Sequence, residues 1–164
     1  MDKGFLIEQL VGRVRESARA ALDASEAAAV EAREGATPAE KREDARAALE
    51  LGSLGRAQER RAQRALGEID ALTGFAPGPC PPGARIVVGA IVEIEDGDTA
   101  EGRTFFLAPV GAGVTLTGPG GDGLLSVVTP SSPIGRAVLG HKTGDVVDVT
   151  VDGEVREWTI TWVA

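Results

Sequence analysis

The sequence predicts an α+β protein built in two parts. An antiparallel α-helical coiled-coil hairpin occupies residues 1–73, and a small antiparallel β domain with one short helix occupies residues 84–164. Three observations carry this. Apolar residues recur at spacings of three and four up to Leu72 and at a spacing of two beyond it. Between these regimes lies Thr73-Gly-Phe-Ala-Pro-Gly-Pro-Cys-Pro-Pro-Gly83, whose prolines and glycines sustain neither helix nor sheet, so residues 74–83 read as a linker. Charge divides at the same place: 12 Lys/Arg with 14 Asp/Glu up to Leu72, then 5 with 11 beyond it.

The first helix runs from Gly4 to Glu34 without a proline, in Ala, Glu, Arg and Leu, which are good helix formers. Its spacing puts Ile7, Leu10, Val14, Ala18, Ala21, Ala24 and Ala28 on one face. Gly35-Ala36-Thr37-Pro38 breaks the pattern, and Thr37, Pro38 and Glu40 read as an N-cap, a first-turn proline and a capping-box glutamate. A second helix then reaches Leu72, with Ala48, Leu51, Gly55, Ala62, Ala65, Ile69 and Leu72 on its inner face. Two helices joined by so short a turn fold back on each other. Each would extend roughly 45–50 Å. The seam is mostly alanine and glycine, so the backbones approach closely and bury little area per turn. Gly52, Gly55 and Gly67 each weaken the second helix by up to about 1 kcal/mol relative to alanine. Phe5, Leu6, Ile69 and Leu72 are expected to steady the base of the hairpin.

After the linker, Arg85–Glu95 reads as a strand bulged at Gly89, followed by strands at Thr104–Val110, Val114–Thr117 and Leu124–Val128. Pro133–Leu139 is the short helix. Asp145–Val151 and Val155–Val163 form the closing pair, turned at Asp152-Gly153. Alternation predicts that one of Phe105 and Phe106 faces the core and the other makes a surface or interdomain contact. Trp158 and Trp162, four apart in one strand, should share a face and pack in the core.

Several functions are excluded by what the chain lacks. No apolar run is long enough to cross a bilayer. Asp2, Lys3, Glu8, Arg13 and Arg15 interrupt the N-terminal region where a signal peptide would be apolar, which implies a cytoplasmic protein without a membrane partner. Cys80 stands alone and makes neither an internal disulfide nor a zinc site, and a single histidine, His141, adds little. A net charge of −8 argues against coating nucleic acid and against independent sequence-specific DNA binding. Gly118-Pro-Gly-Gly-Asp-Gly123 lacks the lysine and following helix of a phosphate loop. With no nucleophile–base pair and no metal-ligand cluster, the chain reads as a non-enzyme.

The segment Thr129-Pro-Ser-Ser-Pro-Ile-Gly-Arg-Ala-Val-Leu-Gly-His-Lys-Thr-Gly-Asp145 resembles the signature of the C-terminal domain of the Gre transcription factors. The matching positions are Ser132, Pro133, Ile134, Gly135, Arg136, Ala137, Leu139, Gly140, Lys142, Gly144 and Asp145. The order of hairpin, linker, Gly83 before a valine-rich strand, motif and closing strand pair agrees as well. The resemblance implies an FKBP-like fold for the β domain and bacterial RNA polymerase as partner. It places Ser131, Ser132, Pro133, Ile134, Gly135 and Arg136 at the docking contact, with the hairpin inserted into the polymerase's secondary channel. It also implies that acidic residues at the hairpin tip help hold a Mg²⁺ ion of the polymerase active site, where water cleaves backtracked RNA. No cofactor or tightly bound metal of the factor's own is implied.

Gre factors that stimulate cleavage carry a tip resembling Gly-Asp-Leu-Lys-Glu-Asn; here Ala36 stands where the first aspartate belongs. The acidic candidates that remain are Glu40, Glu43 and Asp44, with Lys41 and Arg42 between them. Leu49-Glu50, Leu54 and Gln58-Glu59-Arg60-Arg61 resemble a Gre-related subgroup with a longer hairpin. Arg56, Arg60, Arg61 and Arg64 form a basic stripe, read either as a solvated helix face or as a contact to the channel wall or to nascent RNA. Four functions follow for testing: a cleavage-stimulating factor, a channel-occupying regulator without cleavage, an FKBP-like prolyl isomerase, or a coiled-coil adaptor.

Overall fold

A computed structural model of the chain describes residues 3–34, 44–118, 120–121, 123–151 and 153–164. The helices are α1 (Gly4–Glu34), α2 (Asp44–Thr73) and α3 (Pro133–Val138). The strands are β1 (Ile91–Asp96), β2 (Gly102–Leu107), β3 (Thr115–Thr117), β4 (Leu124–Val128), β5 (Val146–Val151) and β6 (Glu154–Val163). Two long helices followed by a β domain with one short helix is the predicted fold class. The predicted start of the second helix at Thr37 and Pro38 lies outside the described residues.

The chain divides into two compact units, residues 1–11 with 71–164, and residues 12–70. These divisions fall inside the helices, because both helix ends pack with the β domain. Leu6, Leu10 and Leu72 are fully buried, a gain of roughly 1.5–3 kcal/mol each. Gln9 fixes the start of α1 against the sheet by donating Nε2 to Thr117 O at 2.9 Å and accepting Thr117 N–H at 3.1 Å. Phe5, expected beside Leu6, is 46% exposed.

The six strands form one sheet in the order β3-β4-β2-β1-β6-β5. Four pairings are antiparallel, but β2 and β4 run parallel, with Phe105 opposite Ser126 and Leu107 opposite Val128. The sheet is therefore mixed, not wholly antiparallel as expected. No local pattern distinguishes the two; β3 is inserted between β2 and β4 in sequence and takes β4's far edge. On one face Val92, Ile94, Phe105, Leu107, Val147, Val149, Trp158 and Ile160 gather into a core with Val138 of α3. Phe105 and Phe106 are both buried, because the opposite face is also covered along this part of β2. The first strand is shorter than expected: Gly89 lies in a turn at φ +101°, and pairing begins at Ile91.

Trp158 and Trp162 do not share a face. Register shifts between Glu93 and Ile94, which pair with Trp162 and Ile160, so Thr161 is an extra residue on β6. One additional residue reverses the alternation, leaving Trp158 3% exposed and Trp162 40% exposed.

In the unit of residues 12–70, Val14, Ala18, Ala21, Ala28, Ala62 and Ala65 are buried, as the three-and-four spacing requires. Ala24 departs from the expectation and is exposed; the seam uses Ser25, whose hydroxyl donates to Gly55 O at 3.1 Å. A hydroxyl facing a glycine backbone is invisible to a pattern read from apolar residues alone.

Candidate functional site

The motif stretch folds around one hydroxyl. Ser132 is the N-cap of α3, in an extended conformation (φ −72°, ψ 154°), with Pro133 in the first turn. Its Oγ accepts Gly135 N–H at 3.1 Å and Thr129 N–H at 3.3 Å, and donates to Thr129 O at 2.8 Å. Ser132 N–H donates to the same carbonyl at 2.9 Å. Thr129, only 7% exposed, also has its Oγ1 3.0 Å from Ser131 Oγ. So polar a turn in a half-buried position needs its buried groups matched, and the Thr129, Ser132 and Gly135 N–H groups and the Ser132 hydroxyl all have partners. The closeness of the turn requires Gly135: a Cβ there would overlap the Thr129 carbonyl, 2.8 Å from its carbon and 2.9 Å from Ser132 Oγ.

These contacts separate the six predicted docking residues. Gly135 is buried, Ile134 packs against the sheet core, and Ser132 is committed to the cap. Ser131, Pro133 and Arg136 are exposed. Thr129, which was not among the six, anchors the turn, and its place at the head of the motif was the available signal.

After α3 the chain turns through Gly140 (φ +81°) and is clamped by the segment that precedes β1. Arg85 Nη1 donates to Gly140 O at 2.8 Å, Gly140 N to Ile86 O at 2.9 Å and Ile86 N to His141 O at 2.7 Å. His141 has a partner that the sequence did not identify. Its Nδ1 lies 3.2 Å from Asp145 Oδ2, which also accepts Lys142 N–H at 3.1 Å. The Lys142 N–H, with His141 adding to it, holds the Asp145 carboxyl below its usual range.

Arg56, Arg60, Arg61 and Arg64 are exposed along α2, and none pairs with an acid among the described residues. Glu40 and Glu43 lie outside the described residues, and Asp44 is the first residue of α2. Among the described residues no three His, Cys, Asp or Glu side chains gather as metal ligands would. Lys3, named in the sequence only as a charge that breaks the N-terminal apolar pattern, is 5% exposed, with Nζ donating to Gly78 O at 3.0 Å. Burial pulls its amine below the ordinary lysine value, and the neighbouring Cys80 partly opposes that.

Two open clefts belong to the β-domain unit. One of about 550 Å³ is lined by Val146, Asp148, Val155, Glu157 and Thr159 and contains no aromatic ring. The other, about 540 Å³, has Phe75 as its one aromatic beside Lys3, Ile7 and Pro77. A prolyl-isomerase reading requires an aromatic-lined apolar pocket, and neither cleft supplies one.

Comparison with known proteins agrees with the motif. The chain is 31% identical over 105 residues to a transcription elongation factor GreA of Polaromonas naphthalenivorans (strain CJ2), covering 64% of this chain and 61% of that protein. It is 28% identical over 106 residues to a GreA of Verminephrobacter eiseniae (strain EF01-2), covering 65% and 62%. The match thus spans about three fifths of these relatives' length. Among solved structures, the GreA factor homolog 1 (Gfh1) protein of Thermus thermophilus has TM-score 0.41 at 20% identity over 96% of this chain and 94% of that one. A GreA/GreB factor from Nitrosomonas europaea has TM-score 0.39 at 20% identity over 61% and 78%. The family model described as transcription elongation factor, GreA/GreB, C-term, matches residues 81–164. That is just over half of the 164 residues, and it contains the whole Ser132 turn; the chain belongs to the GreA/GreB family of transcription elongation factors.

Proposed function

We propose that this protein binds bacterial RNA polymerase through the turn at Ser131–Arg136, inserts its helical hairpin into the secondary channel and modulates elongation. The observation that carries the reading is the Ser132 turn. Its hydrogen bonds are all internal, so Ser131, Pro133 and Arg136 are presented on a preorganised surface without an ordering cost on binding. The four exposed arginines of α2 fit the same reading as contacts to an acidic channel wall or to nascent RNA.

The outcome at the active site divides into two. Glu40, Glu43 and Asp44 have the chemistry to assist a Mg²⁺ ion of the polymerase, since carboxylates are hard oxygen ligands. Ala36 in the place of the family's first tip aspartate, and Lys41 and Arg42 among the acids, favour a channel-occupying regulator with weak or no cleavage. Incubating the protein with a backtracked elongation complex of its cognate polymerase tests both. Shortened transcripts make it a cleavage factor, and the triple alanine variant of Glu40, Glu43 and Asp44 should then bind without cleaving. Slowed extension or blocked initiation without shortening makes it a regulator. Absence of binding removes the polymerase reading and returns the chain to the adaptor class.

A further inference from the structure

Among the described residues the buried polar or charged side chains are Lys3, Asp96 and Thr129. Two of these meet partners that suit them. Asp96 accepts the N–H groups of Asp98 and Thr99 and faces Arg156 at 3.9 Å. The Thr129 hydroxyl lies 3.0 Å from that of Ser131. Lys3 differs: its Nζ donates to the neutral Gly78 O at 3.0 Å, and no ion pair among the described residues includes it. A buried charge is costly unless a counter-charge meets it. An ammonium has three donors, and the Gly78 carbonyl takes one of them. Cys80, the neighbouring group that favours the charged amine, is not part of the cleft that Lys3 lines.

That cleft, of about 540 Å³, is open and lies wholly within the β-domain unit. Its size is that of a small-ligand site. The other walls are mainly apolar, from Ile7, Phe75, Pro77 and Pro79, and they are already in place. Phe75 and Pro77 rest against the Gly89 turn, where a Cβ would come within 3.2 Å of Phe75 Cζ and 3.0 Å of Pro77 Cβ. Gly4, the first residue of α1, also lines the cleft, so the positive end of that helix adds to the Lys3 charge. Glu8 is the acid on the same cleft, and it is exposed.

We propose that this cleft binds a small organic monoanion, an aryl or alkyl carboxylate. Its charge meets the Lys3 ammonium and its apolar body lies against Ile7, Phe75 and Pro77. A carboxylate supplies the counter-charge that the buried amine lacks and accepts the donors that Gly78 leaves over. Glu8 opposes a second negative charge, which disfavours a phosphate dianion. The apolar walls give an inorganic anion nothing to bury.

The test is an amide NMR titration of the full chain with phenylacetate, with 2-phenylethanol as its neutral counterpart, and with inorganic phosphate. Phenylacetate should shift the Gly4, Phe75 and Gly78 signals saturably, with a Kd of about 1 mM or tighter, and raise the urea midpoint. The neutral alcohol and phosphate should each bind at least about tenfold more weakly. Lys3→Met, which keeps an apolar stem and removes the charge, should weaken phenylacetate binding by about tenfold or more. Glu8→Gln, at an exposed position, should tighten it about two- to threefold. If Lys3→Met lowers the urea midpoint, Glu8→Gln decides, and an unchanged affinity there overturns the proposal. So does wild-type affinity in a folded Lys3→Met variant. Equal binding of 2-phenylethanol would make the cleft a purely apolar one, and equal binding of phosphate would remove the apolar recognition; either overturns the proposal. Shifts that do not saturate, or that fall away from these residues, do the same.

Discussion

A Cβ built on Gly67 of α2 meets nothing within 4 Å, whereas one built on Gly135 of α3 overlaps the Thr129 carbonyl. The contrast holds at particular sites rather than throughout, since Gly83, Gly113, Gly140, Gly144 and Gly153 of the β-domain unit also meet nothing within 4 Å. In the hairpin, Gly12 is equally open and Gly55 would make only ordinary contact with Ser25 at 3.8 Å. In the β-domain unit, Gly89 has Pro77 at 3.0 Å with φ +101°, and Gly111 has Leu10 Cδ1 at 2.8 Å. The buried residues differ in kind as well. Among the described residues the unit of residues 12–70 buries one valine and five alanines, while the β-domain unit buries Leu6, Leu10, Leu72, Phe105, Phe106, Trp158 and many aliphatic side chains. A buried alanine contributes little more than one methyl group, roughly 0.8 kcal/mol, against roughly 1.5–3 kcal/mol for a leucine or phenylalanine. The β-domain unit is specified by close steric fit; the hairpin is specified by periodicity and tolerates change at each position. The family match at residues 81–164 falls on the closely fitted part.

Substitutions sharpen this comparison, and the largest effect belongs to the β domain. Trp158→Ala should cost about 3–5 kcal/mol in urea unfolding, because it empties a core site. Trp162→Ala, on the exposed side of the Thr161 bulge, should stay within about 1 kcal/mol. Equal costs for the two tryptophans would show that the bulge is absent in solution. Gly135→Ala should lose about 2–3 kcal/mol by forcing the Thr129–Ser132 turn open, and polymerase affinity should fall with it. Ser132→Ala removes the cap of α3 at a cost of about 1 kcal/mol, measured in the same way. Gly67→Ala should move the other way, gaining up to about 1 kcal/mol, since the helix prefers alanine and the space is open. A destabilised Gly67→Ala would mean that the hairpin is as closely fitted as the β domain.

Acid should act on the β domain in a defined direction. Asp145 is held below the usual carboxylate range first by the Lys142 N–H, and Asp96 first by the N–H groups of Thr99 and then Asp98. Their folded values lie below the unfolded one, so the stabilisation they give is present above about pH 4 and is lost as pH falls through the folded values. Urea midpoints of wild type should decline on that acid side, and Asp96→Asn should flatten the decline while lowering the midpoint at neutral pH.

Much of the candidate site was legible before the fold was known, because the spacing of Ser132, Pro133, Gly135, Gly140 and Gly144 encodes a cap and its turns locally. What spacing could not divide was the roles within it. Ile134 and Gly135 face inward and Arg136 outward only because the sheet core lies on one side of α3. The Arg85–Gly140 clamp joins positions 55 residues apart, and the Lys3–Gly78 bond joins positions 75 apart, so no local window contains them.

By itself the sequence determined what is encoded in runs of neighbouring residues: two long helices, the places of six strands, the short helix at Pro133, and the family. Helical and strand periods are local properties, set by backbone geometry and by where apolar side chains recur. Only the tertiary structure decided the parallel pairing of β2 with β4, the bulge that turns Trp162 outward, the burial of Lys3 and the division of the chain within its helices. Each of these depends on which distant segment supplies the hydrogen-bond partner or covers the face. That choice is made by packing the whole chain, so the residues concerned carry no sign of it in their own neighbourhood.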